Sequence, residues 1–114
     1  MKSPITTHVL DTARGCPAVG VPVVLEQRQE SGSFVELGSG ITDQNGRISD
    51  LISGKELKTG EYRLTFDTGT YFAAQSVTAF FLSVVVDFRL LETSEHYHVP
   101  LLLSPFGYST YRGS

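Results

Sequence analysis

His96-Tyr97-His98-Val99-Pro100-Leu101-Leu102-Leu103-Ser104-Pro105, running on through Phe106 to the ending Tyr111-Arg112-Gly113-Ser114, is the stretch whose pattern decides the fold. Successive side chains of an extended chain point to opposite faces. Tyr97, Val99, Leu101 and Leu103 therefore share one face, suited to a core, while His96, His98, Pro100 and Leu102 share the other. A tail that ends on an aromatic and an arginine so close together reads as a placed terminus and not a frayed one.

Working back along the chain, short β-type runs alternate with clusters of Gly, Pro, Asn and Asp at roughly 8–12-residue spacing, the pattern of an all-β sandwich or barrel. The predicted strands are Ile5–Thr12, Gly20–Gln29, Phe34–Ile41, Arg47–Asp50, Glu61–Asp67, Leu82–Glu92, His96–Leu103 and Gly107–Arg112. Arg14-Gly15-Cys16-Pro17 breaks the first strand, and Asp43-Gln44-Asn45-Gly46 supplies an Asn-Gly pair that tolerates the positive φ of a tight turn. One short helix is predicted between Thr68 and Ser76, with Thr70 as N-cap and Ala73-Ala74 as helix formers, and a turn at Ser53–Leu57 is the other helical candidate. Tyr71-Phe72 and Phe80-Phe81 read as core aromatics around that helix.

Composition narrows the function classes. The 114 residues suit a single domain spanning 1–114, and 40% hydrophobic with 18% charged residues is the balance of a folded chain. A net charge of −3 without any Lys/Arg run argues against a nucleic-acid partner, which needs clustered cations. The longest apolar run, around Val84-Val85-Val86, is interrupted by Asp87 and Arg89, so no membrane helix is expected. Met1 to His8 contains no apolar stretch of the secretory kind, which predicts a cytoplasmic protein, with the peroxisome as the alternative compartment although no Ser-Lys-Leu ending is present. The lone Cys16, between Gly15 and Pro17, reads as an ordinary reduced thiol.

The candidate chemistry lies on the polar faces. In the first strand Ile5, Thr7 and Val9 alternate against Thr6, His8 and Leu10, so His8, like His98, sits across from the apolar set. In the last strand Ser109, Tyr111 and Gly113 fall together against Tyr108, Thr110, Arg112 and Ser114. Polar groups on the outer faces of terminal strands invite a partner to cover them. His96 and His98 could share a metal with His8, yet no Cys cluster, His-x-x-x-His pair or carboxylate triad completes such a site. No metal and no cofactor are therefore expected, and imidazoles acting as acid or base fit better. Arg47, just after the Asn45-Gly46 turn, is either a solvated charge or a cation placed to stabilise an anion. No Gly-x-Ser-x-Gly elbow supports an acyl-enzyme, and no glycine loop is arranged to cradle phosphate.

Thr6-Thr7-His8-Val9-Leu10-Asp11, Asn45-Gly46-Arg47 and the segment from His96 to Ser114 together closely resemble the 5-hydroxyisourate hydrolases, also called transthyretin-related proteins. The likeness spans essentially the whole chain, and the two end motifs are the specific ones. It implies a transthyretin-like sandwich of two four-stranded sheets with one short helix, assembled as a homotetramer, a dimer of dimers, with active sites in a channel between dimers. The implied activity is metal-free ring opening of 5-hydroxyisourate to 2-oxo-4-hydroxy-4-carboxy-5-ureidoimidazoline in urate catabolism. The implied catalytic residues are His8, Arg47, His98 and Ser114, with Tyr111 and Ser109 contacting the small-molecule substrate. One departure is Phe80-Phe81-Leu82-Ser83, where many family members carry a proline.

Transthyretin, a carrier of thyroid hormone, also resembles this chain in its Leu-Leu-Ser-Pro and Tyr-Ser-Thr stretches. The carrier's pattern has Lys at the position of His8, Glu at that of Arg47 and a longer tail, so these residues favour the hydrolase. A purely structural sandwich module is the third reading.

Overall fold

The computed structural model describes residues 4–52 and 57–113. Its elements, in chain order, are β1 (Ile5–Asp11), β2 (Cys16–Pro17), β3 (Pro22–Arg28), β4 (Phe34–Ile41), β5 (Arg47–Ile48), β6 (Gly60–Phe66), α1 (Thr68–Ala73), β7 (Val84–Leu90), β8 (Tyr97–Ser104) and β9 (Gly107–Thr110). They form two sheets. One is an antiparallel sheet of order β4-β3-β6-β7, and the other follows the path β2-β1-β8-β9 with β5 added against β1. The expected all-β sandwich with one short helix is present, the second sheet carrying a fifth strand of two residues.

Alternation produces the core. The inward side chains of β1 are Ile5, Thr7, Val9 and Asp11, and those of β8 are Tyr97, Val99, Leu101 and Leu103, all buried. They meet Val23 and Leu25 of β3 and Tyr62, Leu64 and Phe66 of β6. Each fully buried Leu or Phe contributes roughly 1.5–3 kcal/mol relative to an exposed one. The two polar side chains among the inward residues are satisfied. Thr7 donates to the Val99 carbonyl (2.6 Å). Asp11 accepts from the backbone N–H groups of Ala13 and Arg14 through Oδ1 and from the Tyr71 hydroxyl through Oδ2 (2.7 Å). That last bond ties α1 to the end of β1.

Local details differ from the expectations. Only Thr12 to Gly15 turn after β1, and Cys16–Pro17 returns to pair with Leu10 and Asp11. The fourth predicted strand shortens to Arg47–Ile48, and the last stops at Thr110. The helix is capped by Asp67 and not by Thr70. The Asp67 carboxylate accepts from the Thr70 backbone N–H (3.2 Å) and hydroxyl (2.7 Å), which places Thr70 in the first turn as the capped residue. Tyr71 and Phe72 are core residues as expected, but Phe80 is 71% exposed and Phe81 38%. They lie in the connection between α1 and β7, where the Phe80 N–H bonds the Pro105 carbonyl. Phe81 stacks edge-on against Tyr108 at the surface. Of the predicted Ser53–Leu57 turn, residues 53–56 lie outside the described residues. Among the described residues no helix is long and apolar enough to cross a membrane.

Asp67→Ala removes both cap acceptors, and should lower stability by about 1 kcal/mol. Urea unfolding compared with Thr70→Val checks the assignment of the cap: the Asp67 variant is expected to be the weaker of the two.

Candidate functional site

The site is built by pairing β1 with strands on both sides. On one side, β1 and β8 run parallel with Thr6 opposite His98, Thr7 opposite Val99 and His8 opposite Pro100. On the other, β5 pairs antiparallel with Ile48 opposite Thr7 and Arg47 opposite His8. Residues opposite each other in a ladder share a face. Thr6, His8, Arg47 and His98 therefore gather on the outer face of this sheet while Thr7, Ile48 and Val99 enter the core.

The turn before β5 fixes Arg47. The Asp43 carboxylate accepts from the backbone N–H of Asn45 (2.8 Å) and of Arg47 (3.0 Å), and the Gly46 N–H donates to the Asp43 carbonyl (2.9 Å). Those two backbone bonds, to Arg47 and then Asn45, hold the Asp43 carboxyl below the usual carboxylate range. Gly46 adopts φ +76°, and a Cβ there would lie 2.3 Å from the Val9 carbonyl oxygen, so only glycine lets the turn seat against β1. The Val9 N–H closes the contact on the Gly46 carbonyl (2.7 Å).

His98 is held from two sides. The Thr6 hydroxyl lies 2.9 Å from its Nδ1 and 3.1 Å from Nε2 of the exposed His96, bridging the two rings. On the other edge Gly113 bonds the His98 carbonyl through its N–H (2.8 Å), and a Cβ on Gly113 would come within 2.7 Å of His98 Cδ2. A side chain at 113 would displace the imidazole, so this glycine is needed for close approach.

A pocket of about 410 Å³ opens over this cluster, lined by Thr6, Thr7, Arg47, Ile48, Ser49, His96 and His98. Two wider grooves, of about 580 and 600 Å³, lie elsewhere and contain no histidine. The first is a charged surface where Arg63 pairs with Asp87 and Arg28 with Glu61. The second lies between α1 and the β2 region.

Both site histidines are pushed below their ordinary value. For His8 the causes are burial first and then the Arg47 charge, opposed by hydrogen bonding to the Asn45 backbone and by Asp43. For His98 they are again burial, then Arg47, His8 and His96, opposed by the Thr6 backbone. Two neutral imidazoles beside a guanidinium provide proton acceptors next to a fixed positive charge, the combination a water attack on a polarised carbonyl requires. Among the described residues no three His, Cys, Asp or Glu side chains gather into a metal-holding cluster.

Of the predicted site residues, His8, Arg47 and His98 come together, Arg47 and His98 lining the pocket and His8 standing opposite Arg47 outside that lining. Ser109 sits on the same outer face, opposite Leu102, but does not line the pocket. Tyr111 is exposed and borders a separate groove of about 250 Å³ with Val86, Phe88, Tyr97, Val99 and Arg112. Arg112 follows it there, its guanidinium 4.5 Å over the Tyr97 ring. Ser114 lies outside the described residues. Thr6, Asp43 and Gly113 were not singled out as functional in the sequence. The Asp-x-Asn-Gly turn carries a local signal for Asp43, whereas Thr6 and Gly113 act through long-range pairing and carry none.

Comparison with known proteins places residues 5–113 within the profile described as Transthyretin: HIUase/Transthyretin family. The chain is 50% identical over 110 residues to the 5-hydroxyisourate hydrolase of Salmonella typhimurium, covering 96% of this chain and 80% of that protein. It is 42% identical over 113 residues to that of Mus musculus, covering 98% and 96%. Among solved structures, sea bream transthyretin in complex with thyroxine superposes with a TM-score of 0.92 at 35% identity, over 97% of this chain and 95% of that one. The 5-hydroxyisourate hydrolase of Klebsiella pneumoniae gives 0.84 at 38%, over 96% and 97%.

Because both values lie below the ordinary histidine value of about 6.5, His8 and His98 should stay neutral at pH 7. Depressed values mean that the unfolded chain binds more protons, so their contribution to stability is complete above about pH 6.5 and is lost as pH falls through the folded values. Ring-proton NMR titration, run beside denaturant unfolding at several pH values, checks this. Midpoints above 6.5 for both rings would contradict it.

Proposed function

Since the chain belongs to the HIUase/Transthyretin family, we propose that it hydrolyses 5-hydroxyisourate to 2-oxo-4-hydroxy-4-carboxy-5-ureidoimidazoline in urate catabolism, with His8, Arg47 and His98 as the catalytic centre. The observation that carries the proposal is the placement of Arg47 directly opposite His8 and over the same pocket as His98. In this reading a neutral imidazole takes a proton from water as the oxygen attacks the ring carbonyl. The Arg47 guanidinium stabilises the negative charge that forms on the carbonyl oxygen. Collapse of the tetrahedral intermediate breaks the ring C–N bond, and the imidazolium returns its proton to the leaving nitrogen. No cofactor is consumed, and atoms balance as substrate plus water.

The assembly belongs to the proposal too. The family resemblance implies a homotetramer whose channel between dimers faces the pocket, and Ser109, Tyr111 and Ser114 are proposed as polar lining of that channel. Support comes from exposed apolar side chains, Phe80, Leu82 and Phe106 among them, which a partner would cover. The rival reading, a carrier of thyroid-hormone-like molecules, draws on the likeness to the thyroxine-bound sea bream protein. It does not account for a histidine pair beside an arginine.

The test is the decay of 5-hydroxyisourate, generated in place by urate oxidase and followed by ultraviolet absorbance, with protein whose tetrameric state is verified by sedimentation. Acceleration supports the hydrolase. No acceleration, together with saturable binding of iodinated aromatics, favours the carrier. His8→Ala and His98→Ala should each reduce kcat by roughly 10²–10⁴-fold, the usual worth of a general acid or base, with an unchanged circular dichroism spectrum. Full activity in either variant removes that histidine from the mechanism.

Gly113→Ala should cost on the order of 10²-fold in kcat/KM, because displacing a catalytic group by about 1 Å is enough for such a loss. An alanine variant with wild-type kinetics would show that His98 accommodates the methyl group.

A further inference from the structure

The Thr6 hydroxyl stands between two imidazoles, 2.9 Å from His98 Nδ1 and 3.1 Å from His96 Nε2. A hydroxyl carries one hydrogen and two acceptor lone pairs, so it can donate to only one of these rings. Which ring receives the hydrogen decides which nitrogen of His98 is bare, and only a bare nitrogen facing the pocket can take a proton from water.

With Nδ1 engaged by Thr6, the nitrogen of His98 left to the pocket is Nε2. Arg47 lines that same pocket. A positive charge favours a lone pair turned toward it and disfavours an N–H, which places the ring hydrogen on Nδ1. Nδ1–H then donates to the Thr6 oxygen, and the Thr6 hydrogen goes to the remaining acceptor, His96 Nε2. A flip about χ2 is disfavoured, because it would set Cδ2 against the Thr6 hydroxyl in place of Nδ1 and turn Nδ1 toward Gly113, where an added Cβ would lie 2.7 Å from the present Cδ2. The groups facing His98 are thus Thr6 and His8 from β1, Arg47 from β5, His96 on the same chain segment and the backbone of Gly113.

We propose that Thr6 is a positioning residue that holds His98 as the Nδ1–H tautomer, with His96 accepting the Thr6 hydrogen, so that Nε2 of His98 is the base. The role is the one a carboxylate plays in a Ser-His-Asp triad, fixing tautomer and orientation, here filled by a neutral hydroxyl backed by a second histidine. When His98 takes a proton on Nε2, its Nδ1–H bond to Thr6 persists and Thr6 continues to donate to His96, so the imidazolium forms without rearrangement. The catalytic part of this inference rests on the hydrolase reading above. The tautomer does not.

Two readouts keep the parts distinct. Long-range proton–nitrogen NMR of ¹⁵N-histidine-labelled protein, without substrate at pH 7.5, should show His98 as the Nδ1–H form. Thr6→Val should shift it toward the Nε2–H form, and Thr6→Ser should restore it. An Nε2–H form in the unmodified protein, or a tautomer indifferent to Thr6→Val, overturns the proposal. Thr6→Ala serves in the same way should the valine disturb the strand. In the 5-hydroxyisourate assay, Thr6→Val should lower kcat by roughly 10- to 100-fold, within what a general base supplies, with KM nearly unchanged and activity recovered in Thr6→Ser. An expected tautomer in a protein without hydrolase activity would sink the function and leave the hydrogen-bond assignment standing. An active Thr6→Val with wild-type kcat would overturn the catalytic role of Thr6.

Discussion

Parallel pairing of β1 with β8, seven residues in continuous register from Ile5–Tyr97 to Asp11–Leu103, is the constraint on which both core and site depend. Because the register is unbroken, the two strands send the same phase inward along their whole length. A slip of β1 by one residue against β8 would turn His8 into the core and Val9 to solvent. Burying that imidazole and exposing that valine makes the slip unfavourable by a few kcal/mol, since an unpaired buried polar group alone costs about 1–3 kcal/mol. The hydrophobic effect thus sets the alignment of the polar face without touching it. Inward packing of Ile5, Val9 and Leu101 holds Thr6 within hydrogen-bond reach of His98.

Arg47 arrives by a different physical route. It sits in a strand of only two residues, too short to hold itself by ladder bonds, and its place comes from the turn before it. The Asp43 carboxylate collects the N–H groups of Asn45 and Arg47, Gly46 presses on β1, and Ile48 drops into the core as an anchor. The guanidinium remains exposed while its backbone is fixed on both sides. This arrangement explains the direction in which both histidines are displaced. Partial burial already disfavours the imidazolium, and a cation held close by adds to the penalty. In the proposed mechanism the cation that would stabilise an oxyanion also adds, after burial, to what disfavours the imidazolium of its two neighbours.

Much of this was legible in the sequence where the information is local. Alternation in Ile5 to Asp11 and in Tyr97 to Leu103 separates core from polar face, except that Pro100, on the outer face, is buried as well, and Asn45-Gly46 marks its turn. The helix was visible but its cap was misplaced by three residues, because Asp67 and Thr70 are both cap formers and only the three-dimensional path shows which one stands outside the first turn. Phe80 and Phe81 misled for a related reason. Hydrophobicity predicts burial on average, but these two lie in an irregular connection whose path follows a backbone bond to Pro105. The hardest part to foresee was the pairing of Thr6 with His98, 92 residues apart in sequence. A threonine before a histidine has no local signature, and its role depends entirely on the register of a long-range parallel ladder. Gly113 is similar: the need for glycine comes from a ring contributed by another strand.

The division between faces also accounts for how one fold is shared by the thyroxine-bound sea bream transthyretin and the Klebsiella pneumoniae hydrolase. The inward residues are bound by packing, so a change in any of them costs stability whatever the protein does. The outward residues of β1, β5 and β8 rest on backbone that the core has already fixed, and they are free to change chemistry at little structural cost. A lysine in place of His8 and a glutamate in place of Arg47 would leave the ladders intact while replacing a histidine beside a cation with an ion pair. Overall superposition therefore measures the inner faces and is silent about activity. The mechanism proposed for this chain rests on a handful of outward side chains, and chiefly on Arg47 against its two histidines.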